Sequence, residues 1–252
     1  GDKYPFKELC GAGVAYKLVQ AILISLKKQE NPLRLTKTNR SEEVPVPLGW
    51  EKWLLDMVGV ATLSDMVPLI GENRALAYYG LKVLRKSPRV GLMKLFSLLK
   101  INQSEITEDD IGFSISPRIN AASRMGDPED AFKLFIAKDE VEADICARHL
   151  DHINNERKGM VAGIVKEVRK IMKKRYDDGL IHKVIVIGNP EWKPSLLGLV
   201  ANSLVDDHSC PVFLWGRDGG NILKGSCRGD GCVSVVDLMA SVEGGIFEEY
   251  GG

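Results

Sequence analysis

The sequence has no excess of either charge: 34 lysines and arginines balance 34 aspartates and glutamates. This excludes a whole-molecule basic field for holding nucleic acid, so any polyanion site has to be local. Long hydrophobic runs are missing as well. The stretch from Leu18 to Leu26 is broken by Gln20 and Ser25, so no membrane span is expected. Cysteine is sparse and odd in number (Cys10, Cys146, Cys210, Cys227 and Cys232), with no C-x-x-C pair and no leading signal segment. That argues against a disulfide framework and for a reducing, cytoplasmic setting. His149, His152, His182 and His208 form no metal-ligand cluster in sequence, and neither a dinucleotide fingerprint nor a Walker pattern follows Gly11-Ala12-Gly13. Internal repeats and low-complexity tracts are absent. The chain opens without methionine and stops at Tyr250-Gly251-Gly252 on a turn signal with no closing element, so both ends are expected to be cut.

What is present is an ordinary globular composition, 44% apolar and 27% charged, for which two modest domains are expected. Val14, Leu18, Ala21, Ile22 and Ser25 share a helical face between Gly11 and Lys28, and with more apolar residues around them this helix is expected to be buried on most sides. Gln29 to Gly49 is polar, contains Pro32, Pro45 and Pro47, and reads as a loop. Trp50, Trp53, Leu54, Met57, Val58 and Ala61 form one face of an amphipathic helix ending near Thr62. Asp65 then falls just beyond a helix end, in a turn closed by Pro68. Further helices are expected at about Glu72–Leu84 and Gly91–Leu99, and after Asp127-Pro128, where Asp suits the N-cap and Pro the first helical position. From Asp139 to Tyr176 there is no proline, and Ile153, Met160, Ile164, Val168 and Ile171 recur at helical spacing. One long helix, opened by Asp139 and Glu142 in a capping-box arrangement, is the simplest account. The period then changes. Strands are expected at His182–Ile187, Pro211–Trp215 and Asn221–Cys227 and helices at Pro194–Val205 and Val235–Val242, a β-α-β-β-α order that makes a small α/β domain.

Three segments carry chemistry. Asp65, ahead of Met66-Val67-Pro68, is first of all a turn residue; presented on a tight turn at a helix end, its carboxylate is also a ligand for a hard divalent cation. The stretch Ser116-Pro117-Arg118-Ile119-Asn120-Ala121-Ala122-Ser123-Arg124-Met125 interleaves arginines and an asparagine with small side chains. Small residues permit close approach and guanidinium forks match phosphate oxygens, against the plainer reading of surface pairing with Asp127 or Glu129. Lys224-Gly225-Ser226-Cys227-Arg228-Gly229-Asp230-Gly231 sets a hydroxyl and a guanidinium among glycines, where backbone N–H groups converge on an anion; a plain hairpin or loop is the alternative. The basic run Lys166 to Arg175 reads as the solvated face of the long helix.

Taken in order, these segments resemble the RecJ-type exonucleases of the DHH phosphoesterase superfamily over almost the whole chain. Cys10 to Leu18 is similar to the helix after that family's DHH motif, and Val60 to Leu69, with Glu72-Asn73-Arg74, to its acidic metal-binding motif. Ser116 to Met125 resembles P-R-I-N-A-A-G-R-M, and Asn154-Asn155-Glu156-Arg157 an N-x-x-R pattern. Asn189-Pro190-Glu191-Trp192 to Ala201 is similar to H-P-E-W-H-x-G-V-x-G-I-V-A, and Lys224 to Arg228 to K-G-S-x-R. Asn189 and Lys193 stand where the family usually has histidine, Ser123 and Ser195 where it has glycine, and Gly229 where it has serine. The family's D-x-D and D-H-H acids would lie upstream of Gly1.

The resemblance implies an α/β chain: a mostly helical remainder of a DHH domain over 1–138, a connecting helix over 139–176, and a partial DHH-associated domain over 177–252. It implies a complete enzyme, monomeric, hydrolysing single-stranded DNA from the 5′ end with manganese or magnesium, of which this piece is inactive alone. Asp65 is the one candidate catalytic metal ligand here, while Arg118, Asn120, Arg124, Ser226 and Arg228 would contact the strand. Two other readings stay open. One is a DHH-family hydrolase of short oligonucleotides or cyclic dinucleotides, against which the P-R-I-N-A-A match and the long helix argue. The other is a non-catalytic DNA-binding or replication-scaffold relative.

Overall fold

The computed structural model describes residues 3–28, 34–36, 43–47, 49–180, 183–242 and 244–251. The chain divides into two compact units, Gly1–Ala122 with Pro128–Asp151, and Ser123–Asp127 with His152–Gly252. No helix of the described residues is long and apolar enough to cross a membrane.

The first unit is built mostly of helices. They are α1 (Gly11–Lys28), α2 (Leu55–Ser64) after a 3-10 turn at Trp50–Leu54, α3 (Gly71–Leu84), α4 (Val90–Leu99), α5 (Ser116–Met125), α6 (Glu129–Ile136) and the start of α7 (Glu140–Asp177). A π-helical turn, Asp110–Ile115, leads into α5. Leu84, Leu92, Leu95, Phe96, Ile111 and Leu134 sit in one core, and Tyr16, Val58 and Leu76 in a smaller one. Where α2 and α3 cross, a Cβ on Gly59 would lie 2.7 Å from the Cα of Gly80, and one on Gly80 2.5 Å from the Cα of Gly59. The two backbones therefore touch, and no side chain fits between them.

Two expectations are corrected here. Within Gln29 to Gly49, Arg34–Thr36 (β1) pairs antiparallel with Glu43–Pro45 (β2), Leu35 opposite Val44; the rest of that stretch lies largely outside the described residues. Helix α1 is not buried on most sides. Cys10 and Tyr16 are buried, whereas Val14, Leu18 and Ile22 are exposed, Leu18 by 61%. Periodicity identifies an apolar face but says nothing of what lies against it.

In the second unit, β3 (Ile185–Gly188) runs parallel to β4 (Val212–Gly216), and β4 antiparallel to β5 (Lys224–Arg228). Helix α8 (Pro194–His208) makes the crossover between the parallel strands, and α9 (Val235–Ala240) follows β5. Val168, Met172, Ile185, Leu197, Val200 and Leu214 form the core. His182, expected to begin the first strand, lies outside the described residues. Helix α7 opens as expected, with the N–H groups of Val141 and Glu142 both donating to Asp139 at 2.9 Å. The Glu142 carboxylate accepts in return from Lys138 N–H rather than from Asp139.

Candidate nucleic-acid and metal-binding residues

Asp65 ends α2 with its N–H bonded to Ala61 and its side chain exposed. The next residue, Met66, has φ 53° and is 88% exposed. An unbranched but non-glycine residue in the left-handed region costs on the order of 1 kcal/mol and persists where the surroundings impose it. They do so here through Asn73. This buried amide donates to the Glu8 carbonyl at 2.7 Å and the Pro68 carbonyl at 3.1 Å, pinning the end of the Asp65 turn, while its Oδ1 has no partner among the described residues.

Glu72, beside it, accepts from Tyr4 Oη at 2.7 Å and from Lys17 Nζ at 2.6 Å. The Lys17 and Tyr4 contacts hold its carboxyl below the usual range. Asp56, in the first turn of α2, is the most enclosed acid of this region. It is 1% exposed and accepts from Ser87 Oγ at 2.7 Å and Arg89 Nε at 2.8 Å.

The Ser64 and Ser116 hydroxyls share a short hydrogen bond, which draws the Asp65 turn to the start of α5. Arg118, two residues further on, is tied down. Its Nε and Nη2 both reach Asp151 Oδ1 at 2.8 Å and its Nη1 donates to the Ser114 carbonyl at 2.6 Å. Asn120 on the same helix is exposed. The pairing of Arg118 is internal, with Asp151 on α7 rather than with Asp127 or Glu129.

In the second unit the start of α8 gathers the other candidates. Arg124 Nη1 donates to the Ser195 carbonyl at 3.0 Å and Ser195 Oγ donates back to the Arg124 carbonyl at 2.6 Å. Lys193 Nζ reaches the Met125 carbonyl at 3.5 Å. The N-cap residue of α8, Lys193, makes no side-chain capping bond, and the helix begins on Pro194. One turn in, a Cβ on Gly198 would lie 3.1 Å from Arg228 Nη2 and 3.7 Å from Ser226 Oγ. Ser226 and Arg228 thus lie against α8 at the one place where its side chain is missing. Arg228 is exposed and its Nη1 donates locally, to the Cys227 carbonyl at 2.6 Å. A positive charge, a hydroxyl and a helix N-terminus together suit an anion.

Three of the departures from the family pattern have physical accounts. Ser195 supplies the hydroxyl that closes the pair with Arg124. Asn189 donates to Glu167 Oε1 at 3.2 Å, and Trp192 Nε1 to Glu167 Oε2 at 3.0 Å, so one carboxylate on α7 fixes the loop before α8. A Cβ on Gly229 would sit 3.2 Å from the Val233 carbonyl and 3.3 Å from Val235, leaving little room for serine. Asn154, buried in α7, accepts from Arg157 at 3.0 Å, which gives the N-x-x-R spacing an intrahelical role.

Asp151, Glu167 and Asp56 were not singled out from sequence, because their partners are 22 to 33 residues away. Asn73 left a signal, a polar residue on the stripe of Leu76, Ala77 and Gly80. No group of three or more histidines, cysteines, aspartates or glutamates able to hold a metal occurs among the described residues. A single exposed carboxylate does not fit a two-cation centre by itself.

A helical unit and a small α/β unit joined through one long helix are the order of elements expected from the resemblance to the DHH-type phosphoesterases. Within that class, the chain is a relative of the RecJ single-stranded-DNA-specific exonucleases. It is 34% identical over 229 residues to the RecJ exonuclease of Bacillus subtilis, covering 90% of this chain and 26% of the relative. It is 32% identical over 243 residues to that of Haemophilus influenzae, covering 95% and 40%. Among solved structures, RecJ of Thermus thermophilus in complex with Mn2+ superposes with a TM-score of 0.72 at 29% identity, over 93% of this chain and 31% of that one. An exonuclease RecJ bound to manganese gives 0.69 at 29% identity, over 94% and 53%. No family model matches. The chain thus spans about a quarter to two-fifths of the length of these curated relatives.

Proposed function

We propose that this chain is part of a metal-dependent exonuclease that removes nucleotides from single-stranded DNA in the 5′-to-3′ direction, working as a cytoplasmic monomer without membrane association. The observation that carries the reading is the approach of Arg228 and Ser226 to the side-chain-free surface of α8 at Gly198. There a strand phosphate meets a guanidinium, a hydroxyl and the uncapped helix start at once. Arg124 holds that helix start in place through its pair with Ser195, and Asn120 of the first unit is a separate candidate contact to the strand. Arg118, bound to Asp151, fixes α5 rather than reaching for DNA.

Asp65 contributes one carboxylate to a centre for Mn2+ or Mg2+, the cations found in the related structures. When bound, such a centre activates water and stabilises the leaving oxygen; its other ligands are not among the described residues. The 252-residue chain alone should therefore release no nucleotides from 5′-phosphorylated single strands with manganese. Metal-dependent release that survives purification controls overturns this. In the full-length protein Asp65→Ala should abolish turnover and leave DNA affinity intact, whereas a mere turn residue would cost about 1 kcal/mol of stability and spare activity.

The phosphate site has its own test. Arg228→Ala should lower the log–log salt slope of single-strand binding by about 0.7, and an unchanged slope with unchanged affinity removes Arg228 from the site.

A further inference from the structure

Between Arg157 and Arg175 a chain of zero net charge concentrates eight lysines and arginines against one acid, Glu167. That acid is taken up by Asn189 and Trp192. At 100° per residue, Lys158, Lys166, Arg169 and Lys173 fall within an arc of about 80° on α7, and at 1.5 Å per residue they span about 22 Å. Lys158, Lys166 and Lys173 are exposed. The first two, with Arg157 and Arg169, rim an open cavity of about 530 Å³ whose far wall is Leu199 and Ser203 of α8, with no carboxylate in its lining. Arg169 is braced by Asp207, 2.7 Å away, which fixes one rim of the groove to α8.

Helix-dipole complementarity accounts for cations in the last turn of α7, but Lys158 and Lys166 lie far from that end. Nor does the groove repeat the Arg228 site: Leu199 is rotated by about 100° from Gly198 on α8. The groove therefore has its own ligand to account for. Within the groove Lys158, Lys166 and Arg169 run in a line along an apolar floor of Val161 and Val165, with no aromatic ring among its lining residues, and Lys173 continues that line beyond the groove, beside Tyr176 and Asp207. A line of charge without stacking rings tracks a phosphodiester backbone and ignores the bases.

We propose that the α7–α8 groove of the second unit is a sequence-independent track for the backbone of single-stranded nucleic acid, engaged through Lys158, Lys166 and Lys173. The choice of ligand rests on the single-strand reading above. The location does not, and the test separates the two. Lys158→Gln, Lys166→Gln and Lys173→Gln combined keep helix propensity and remove three exposed charges. Binding of a long oligo-dT to the chain as it stands, followed across a salt series, should lose about 2 from its log–log slope and weaken at least tenfold at low salt. The corresponding Lys→Arg triple variant should restore both. Arg228→Ala alone should alter the affinity for a 5′-phosphorylated dinucleotide, too short for the track, which the lysine variant should leave unchanged. An unchanged slope in the folded Gln variant, checked by circular dichroism, overturns the track whatever Arg228 does. Equal competition by polyglutamate assigns the groove to an acidic polypeptide and overturns the nucleic-acid commitment.

Discussion

The two units use the same residue type in opposite ways. In the first, Arg118 gives all three of its guanidinium nitrogens to Asp151 and Ser114, and its side chain is 13% exposed. In the second, Arg228 is exposed and, among the described residues, bonds to its neighbour's carbonyl alone. A guanidinium saturated by protein acceptors holds helices together; one left facing solvent beside a glycine is available to a ligand. The motif that makes an arginine look functional does not say which it is. Its hydrogen-bond inventory does.

The glycines repeat the contrast, and they should show the largest effect. Gly80→Val places a side chain against the backbone of Gly59 and the Leu55 carbonyl, neither of which can move without parting α2 from α3. Denaturant unfolding should show a loss of about 3 kcal/mol. Gly198→Ala meets only the mobile end of Arg228 at 3.1 Å, so it should cost under about 1 kcal/mol while displacing the guanidinium and weakening phosphate binding. Equal destabilisation by the two substitutions breaks the comparison.

The arginines come next. Arg118→Ala should cost about 2 kcal/mol, because it strips charge-assisted bonds from partly buried Asp151, whereas Arg228→Ala should stay within about 0.5 kcal/mol. A stable Arg118→Ala protein that has lost DNA affinity would return Arg118 to the strand.

A gain is expected in α7. Among the described residues, nothing outside the helix's own backbone and the neighbouring residues lies within 4 Å of the Cβ position of Gly159 or Gly163, so packing does not demand either of them. Each replaced by Ala should raise stability by up to about 1 kcal/mol, read from the urea midpoint. A loss would show that something lies against that face.

The smallest effect concerns acid. Glu72 has its carboxyl held below the ordinary value of 4.5 by Lys17 and then Tyr4. The stabilisation is complete above the unfolded glutamate's pKa and is lost as pH falls through the lower folded one. At about one-third exposure it is worth a fraction of a kcal/mol. Glu72→Gln should flatten the acid limb of a stability profile below about pH 4.5 and leave neutral pH nearly unchanged; an identical acid limb refutes the role.

Elements with strong periodicity were legible in the sequence. Helices α3, α4, α7 and α8 lie within a few residues of expectation, because their apolar spacing matches the faces they bury. Helix α5 carries no helical signature in the sequence, since Ser116 to Met125 offers alanines and serines where a pattern needs large apolar residues. The candidate site was legible as motifs and illegible as bonds. Asp151 for Arg118, Glu167 for Trp192 and Ser195 for Arg124 are pairs made by tertiary packing, which local spacing does not encode.

Trp192 has an optical consequence. It is 4% exposed, with its indole N–H on Glu167, whereas Trp50 and Trp53 of the first unit are 37% and 48% exposed. The blue edge of the intrinsic fluorescence should therefore follow the second unit, which also holds the half-buried Trp215 of β4, and the red edge chiefly the first. Unfolding recorded at the two wavelengths would show, without any label, whether the units melt together or one before the other. Glu167→Gln should shift the blue component alone, because it perturbs the acceptor of a single buried ring.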